Sequence, residues 1–230
     1  MSAPGHPGFD RYARDYGEAL AKGISLSGEG IDFFATGRLA ILKAALERRG
    51  ANPAKILDFG CGNGTAAPFV LSTFPGAEYA GVDVSEECLA VARKSHGSCF
   101  RHLGEYAPEG EYDLVFTNGV FHHIPGPEQP GALDYIARAL KPGGYFALWE
   151  NNPWNPGARL VMRRIPFDRD AAMLWPAAAR RLLRGADLAV ELASFAFIFP
   201  RPLRLLRPLE RYVSRLPLGA QYLVLGRKPA

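Results

Sequence analysis

A chain of 230 residues, 48% hydrophobic and 22% charged, is long enough to bury one α/β core and is not composed like a disordered segment. No window reaches the ~18 apolar residues of a membrane-spanning helix, and the N-terminal residues have neither the basic nor the apolar region of a signal peptide. Cys61, Cys88 and Cys99 follow no metal or disulfide spacing, which predicts reduced thiols in a cytoplasmic protein. The net charge of +4 is uneven, with thirteen arginines from Arg159 onward facing only five acidic residues. These arginines alternate with Leu and Pro rather than with polar and aromatic residues, which argues against nucleic acid. A solvated face and an attraction to an anionic or amphiphilic partner both remain open.

In chain order, residues 9–22 predict a short helix with Phe9, Tyr12 and Tyr16 near one face. Gly28 and Gly30 interrupt it, and a second helix is predicted from Ile31 or Asp32 to Arg49, stopped by Gly50. Strands and helices then alternate. Strands are expected at Ile56–Phe59, Tyr79–Val82, near Ser98–His102, at Tyr112–Thr117 and at Tyr145–Trp149, the last after a Pro142-Gly143-Gly144 turn. Helices run through Phe74, over Ser85–Lys94 with Ser85 as N-cap, and over about Gly131–Leu140. Such alternation predicts right-handed crossovers and a mostly parallel sheet. The last third predicts helices at 158–165 and 171–184, and strands at Ala193–Phe199 and Gln221–Gly226. Between those strands Arg201–Arg215 predicts a helical hairpin insert.

The most diagnostic stretch is Lys55-Ile-Leu-Asp-Phe-Gly-Cys-Gly-Asn-Gly64, an apolar strand entering three glycines and then a helix. Glycine lets backbone turn tightly and lets a ligand lie against the main chain. Asp83 follows the second strand, where an acid accepts hydrogen bonds from ribose hydroxyls. It could instead cap the following helix. A pyrophosphate fingerprint is spaced G-x-G-x-x-G, whereas here Gly60, Gly62 and Gly64 alternate. Asp58 just before them would repel a pyrophosphate but suits an amino group and a cationic sulfonium. The charge pattern favours S-adenosylmethionine over NAD.

Together, Leu57-Asp-Phe-Gly-Cys-Gly-Asn-Gly64, Gly81-Val-Asp-Val-Ser85, Tyr112-Asp-Leu-Val-Phe116 and Leu140-Lys-Pro-Gly-Gly144 resemble the ordered motifs of class I S-adenosylmethionine-dependent methyltransferases over residues 54–150. The flanks resemble a type 11/12 small-molecule subgroup. The resemblance implies a Rossmann-like, doubly wound seven-stranded sheet of order 3-2-1-4-5-7-6 with strand 7 antiparallel. It also implies an N-terminal helical lid over residues 1–50 and a core over 51–230, carrying the basic insert at 200–218 within a single domain. By position, Asp58, Gly60, Cys61 and Gly62 would line the methionine and ribose side of the cofactor. Asp83 would hold the ribose, Val84 would pack on the adenine, and Glu105 would meet the adenine amino group, although the usual Gly-Asp pair is missing there. Asn118 and Gly119 would sit beneath the transferring methyl. Tyr12 and Tyr16 would close over the cofactor, or simply pack within their helix.

His122 follows the fourth strand and is the candidate general base for a hydroxyl acceptor, with a loop-orienting role as the alternative. His123, Glu150, Asn151 and Asn152 are candidates for the acceptor side or for holding their loops in place. No Asp/Glu/His cluster has metal-ligand spacing, so no metal is expected. The expected activity is methyl transfer to a small molecule, favouring oxygen, with a secondary metabolite, sugar or lipid-linked acceptor. The alternative is a regulatory protein that holds the cofactor without turnover. A monomer or homodimer is expected. The Arg/Leu/Pro insert is read as a lip for an amphiphilic acceptor or a membrane surface, or as a pocket wall or dimer contact.

Overall fold

Seven apolar runs become seven strands of one sheet in the order β3-β2-β1-β4-β5-β7-β6. The computed structural model describes residues 16–169 and 171–230, apart from the side chains of Tyr16 and Glu18. Tyr12 and the Tyr16 ring therefore lie outside the described residues. The strands are β1 (Lys55–Phe59), β2 (Glu78–Asp83), β3 (Phe100–His102), β4 (Tyr112–Asn118), β5 (Leu140–Asn151), β6 (Ala189–Ala196) and β7 (Gln221–Arg227). The first five pair in parallel, and β7 runs antiparallel to both β5 and β6. That is the predicted topology.

Period-two alternation splits the strand residues between two apolar layers. Ile56, Leu114, Phe116, Tyr145 and Ala147 face one layer with α2 (Ile31–Glu47), α3 (Ala67–Thr73) and α4 (Glu86–His96). Leu57, Phe59, Val115, Phe146 and Leu148 face the other with α5 (Gln129–Ala139) and α7 (Pro176–Gly185). Between these last two helices lies α6 (Pro156–Arg164). Its N-cap is Asn155, whose side chain accepts from Ala158 N–H at 2.9 Å. Ser85 caps α4 as expected, accepting from Cys88 N–H at 3.2 Å. Among the described residues no helix is long and apolar enough to cross a membrane.

Several boundaries differ from the sequence expectation, each for a tertiary reason. The Pro142–Gly144 turn lies inside β5, because Gly143 N–H bonds Lys228 O beyond β7 at 3.0 Å and the register shift against β4 absorbs the extra residues. Strand β6 starts at Ala189 and ends at Ala196, because Phe197 takes a φ of 61° and leaves the sheet. A bulky residue with positive φ is uncommon, and its ring is held edge-on by Phe33 and Phe34 at 5.7 and 5.0 Å. The insert is not a helical hairpin. It is a 3-10 stretch, Arg201–Leu209, kinked at Leu203 and followed by the four-residue α8 (Glu210–Val213).

The elements before β1 are α1 (Tyr16–Ile24) and α2. Leu39, Leu42, Ala45 and Leu46 on α2 are buried against the sheet, so its C-terminal half is a layer of the core. Its N-terminal half, with Ile31, Phe33, Phe34 and Arg38, turns instead to a cavity at the carboxyl ends of the strands. One helix thus serves as both core layer and cavity wall.

Candidate active site at the carboxyl edge of the sheet

The cavity has a volume of about 1330 Å³, larger than the ~300–1,000 Å³ that one small ligand needs. Its floor is the carboxyl edge of β1, β2, β4 and β5, where open α/β sheets bind ligands. Its roof is α2, α6 and the Phe197–Pro200 segment.

The glycine loop is shaped by the neighbouring strand. Gly60 and Cys61 both donate to Val82 O, at 2.8 and 3.0 Å, which curls the chain over the end of β2. Gly60 has a φ of 77°, and a Cβ there would lie 2.5 Å from Val120 Cγ2. Gly62 differs, because a Cβ would meet nothing within 4 Å, so the space above it is open to a ligand. Cys61 is buried and its sulfur packs over Gly81, which leaves only its backbone for a ligand. Burial pushes its thiol well above the usual range.

Two carboxylates mark this end of the cavity. Asp58 is 3% exposed and accepts from Tyr79 OH at 2.8 Å. Burial, only partly offset by that bond, raises its pKa to about 7, with the Asp83 charge adding to the rise. Asp83 accepts from Gly62 N–H at 2.8 Å and from Ser85 N–H at 2.9 Å. It therefore braces the glycine loop and the turn into α4 at once, and burial raises its pKa despite those bonds. Val84 is exposed beside it and lines the cavity as an apolar wall. His102 ties the wall together, as Nε2–H donates to Val84 O at 3.1 Å while Nδ1 accepts from Gly104 N–H at 3.1 Å. Sequence reasoning gave His102 no role. Glu105 does not take the cavity-facing place expected of it. The turn after the three-residue β3 closes through Glu105 N–H to His102 O, leaving Glu105 exposed and off the cavity, while Leu103 lines it.

Asn118 and Gly119 end β4 on the cavity floor, with Gly119 N–H bonded to Trp149 O at 2.9 Å. Just beyond them a 3-10 turn, Phe121–His123, presents both histidines. His122 is 5% exposed. Its Nδ1–H donates to Glu150 Oε2 at 2.6 Å, and its Nε2 lies 3.4 Å from Asp168 Oδ1. His123 Nε2 reaches the same Asp168 oxygen at 3.0 Å. Burial alone would lower the His122 pKa, but the two carboxylates outweigh it and raise it to about 10. Asp168 is held below the usual carboxylate range, because hydrogen bonds and charge from both histidines exceed its burial.

This geometry redistributes the acceptor-side candidates. Glu150 does not face the cavity; it is 2% exposed and also accepts His122 N–H at 3.3 Å. Asn152 is fully buried, donating to Pro217 O and Gly219 O at 3.0 and 2.7 Å, so it anchors the loop before β7. Asn151 does line the cavity. It accepts from Gln221 Nε2 at 3.2 Å, and Gln221 in turn accepts from Arg38 Nη1 at 3.1 Å. Arg38, Gln221 and Asp168 were not singled out from sequence. No local motif marks them, since the bonds that place them span 45 to 183 residues.

S-adenosylmethionine fits these residues. The open backbone over Gly62 admits a ligand main chain or ribose, Val84 offers a flat apolar contact, and two carboxylates suit cationic groups but not a pyrophosphate.

Residues 57–146 match the model of a methyltransferase domain. A trans-aconitate 2-methyltransferase of Methylobacterium nodulans is 33% identical over 150 residues, covering 64% of this chain and 54% of that protein. A ubiquinone biosynthesis O-methyltransferase of Thiobacillus denitrificans is 32% identical over 155 residues, covering 60% and 65%. The chain spans about half the length of the trans-aconitate 2-methyltransferases it matches. In fold it resembles human N-acetylserotonin methyltransferase in complex with SAM, at a TM-score of 0.62 and 19% identity over 99% of this chain and 61% of that one. With the motif order, the 3-2-1-4-5-7-6 sheet and the site at its carboxyl edge, these matches make the chain similar to class I S-adenosylmethionine-dependent methyltransferases, with the methyltransferase-domain match lying over residues 57–146.

Proposed function

We propose that the chain methylates an oxygen of a small, anionic acceptor, a carboxylate in particular. The observation that carries this reading is the state of His122, whose two ring nitrogens both face carboxylates. So held, the imidazole has no lone pair to spare for an acceptor proton. That weighs against the general-base role expected from sequence and favours an acceptor that needs none. A carboxylate arrives already ionised and nucleophilic at neutral pH. Arg38 on the cavity wall, chained to Gln221 and Asn151, is a cation suited to orienting such an acceptor. The trans-aconitate 2-methyltransferases among the relatives are named for an acceptor of this kind.

S-adenosylmethionine supplies a methyl group already activated on a sulfonium, with a neutral leaving group. The chain's residues then need mainly to position and to exclude water, an effect worth ~7–11 kcal/mol in well-oriented systems. Asp58, Asp83 and the Gly60–Gly62 backbone would hold the donor end. Asn118 and Gly119 would floor the point of transfer, and Arg38 with Asn151 would hold the acceptor.

The test is incubation of the purified chain with methyl-labelled S-adenosylmethionine and a panel of carboxylates, trans-aconitate among them, alongside phenols and amines. The expected product is a methyl ester, which releases labelled methanol in mild alkali, and Arg38→Ala should raise KM about tenfold or more for the carboxylate. Label that stays bound in alkali would replace the carboxylate with a hydroxyl or amine acceptor. Cofactor binding without S-adenosylhomocysteine from any acceptor would favour a non-catalytic cofactor-binding protein.

A further inference from the structure

We propose that His122, His123 and Asp168 form a binding site for a first-row divalent metal ion, with Glu150 as the carboxylate that orients His122. Each of the three offers a ligand atom, and these atoms lie within 4.8 Å of one another. The Asp168 oxygen is 3.0 Å from His123 Nε2 and 3.4 Å from His122 Nε2. Bonds of ~2.1 Å to one ion put neighbouring ligand atoms about 3.0 Å apart at an octahedral centre and about 3.4 Å apart at a tetrahedral one. Both Asp168 contacts are therefore already spaced for an ion that would replace them.

The surroundings point the same way. Glu150 takes the Nδ1–H of His122 and turns Nε2 toward Asp168, so an ion would displace the Nε2 proton and take its lone pair. A ligating histidine almost always donates its other N–H in this manner. Among the described residues, neither Glu150 nor Asp168 has a Lys or Arg within ion-pair distance, although both are buried. Two buried carboxylates whose charged partners among the described residues are imidazoles alone leave negative charge that a dication would neutralise. Two imidazoles and one carboxylate suit Zn²⁺, Co²⁺, Fe²⁺ or Mn²⁺ rather than Ca²⁺ or Mg²⁺. The three residues also line the cavity, so coordination positions left open by the protein would take water or an oxygen of a carboxylate-bearing ligand.

The test uses the full, tag-free chain after chelator treatment, titrated with Co²⁺ and Zn²⁺ in the absence of cofactor and acceptor. Its outcome is thereby independent of the methyl-transfer reading. One equivalent of Co²⁺ should bind, with the visible bands of nitrogen and oxygen ligands and without the intense near-ultraviolet band of a thiolate. Glu150→Gln should weaken binding about 10–100-fold, and His123→Ala and Asp168→Asn should weaken it further. His96→Ala, on the end of α4, should leave it unchanged. The His123 ring is partly exposed, so that variant keeps the test decisive if Asp168→Asn fails to fold. No saturable binding to the folded chain, or binding that His123→Ala leaves intact, overturns the site.

Discussion

The two ends of the cavity are built by opposite means. At β1–β2 the ligand-facing groups are mostly backbone, curled by bonds from Gly60 and Cys61 to Val82 and braced by Asp83 across 21 residues. At β4–β5 they are side chains drawn from five separate segments, with Asp168 reaching His122 across 46 residues. A backbone-built end has no room for an added Cβ where it packs, as at Gly60, but accepts many neighbours. An end built from side chains tolerates local backbone change but not the loss of a charge. On the proposed reading, donor binding rests on a short local motif and acceptor choice on long-range packing.

The sharpest way to break the β4–β5 end is Glu150→Ala. Removing one member of a buried, hydrogen-bonded charge cluster leaves the others uncompensated and costs about 3–5 kcal/mol. Urea denaturation should show that loss, with Glu150→Gln recovering a substantial part. An effect below about 1 kcal/mol would mean that the cluster is far wetter than its 2% exposure implies. Next in size is the β1–β2 end. Gly60→Ala combines a φ of 77° with a Cβ 2.5 Å from Val120 Cγ2, a cost of about 2–4 kcal/mol. Gly62→Ala meets open space and should lose only about 1 kcal/mol of stability. Its larger effect should be on the cofactor, whose affinity should fall at least about tenfold by calorimetry. Equal stability losses for the two variants would contradict the open cradle.

The same contrast explains what could be read from sequence. Most strands and the glycine loop were legible because their signals are local, namely apolar runs of strand length, capping at Ser85 and the acid Asp83 at the end of β2, whereas the strand order came from the family resemblance. The His122 environment was not, because nothing near His122 announces Asp168. Glu150 and Asn152 were visible as polar residues at the correct sheet edge, but whether such a side chain faces the cavity or the interior depends on packing. Both turned inward, Glu150 to His122 and Asn152 to the carbonyls before β7. Glu105 failed for a similar reason, since a three-residue β3 leaves too short a run to predict where its turn points. The long β5 and the early β6 were hidden by their partner β7, the last strand of the chain.

Asp58 offers a pH test of the β1–β2 end. Its folded pKa of about 7 lies above the 3.8 of an unfolded chain, so the folded state holds the proton more tightly. That contribution to stability is fully present below about pH 4 and is lost as pH rises through about 7. Cofactor affinity should run the other way, because a sulfonium and an ammonium favour the ionised carboxylate. Binding should be about tenfold tighter at pH 8 than at pH 6. Asp58→Asn should flatten both trends. A pH-independent affinity in the unaltered chain would place the cationic groups elsewhere.

The smallest effect is expected from the insert, which repeats the comparison on a smaller scale. Its inner side is tied down, since Arg207 pairs with Glu29 at 2.7 Å, donates to Phe199 O at 3.1 Å and stacks over the Phe33 ring at 4.4 Å. Its outer side presents Leu205 at 87% exposure and Tyr212 at 70%. Leu205→Ser removes no packing and should change stability by less than about 0.5 kcal/mol. For a small carboxylate that enters between Arg38 and Asn151, it should also leave KM unchanged. Arg207→Ala instead frees Glu29 and uncovers Phe33 on the cavity wall, so its KM should rise. If Leu205→Ser raised KM as much as Arg207→Ala, the outer face would be meeting the acceptor, as expected of a lip for an amphiphilic molecule rather than of a wall around a small polar one.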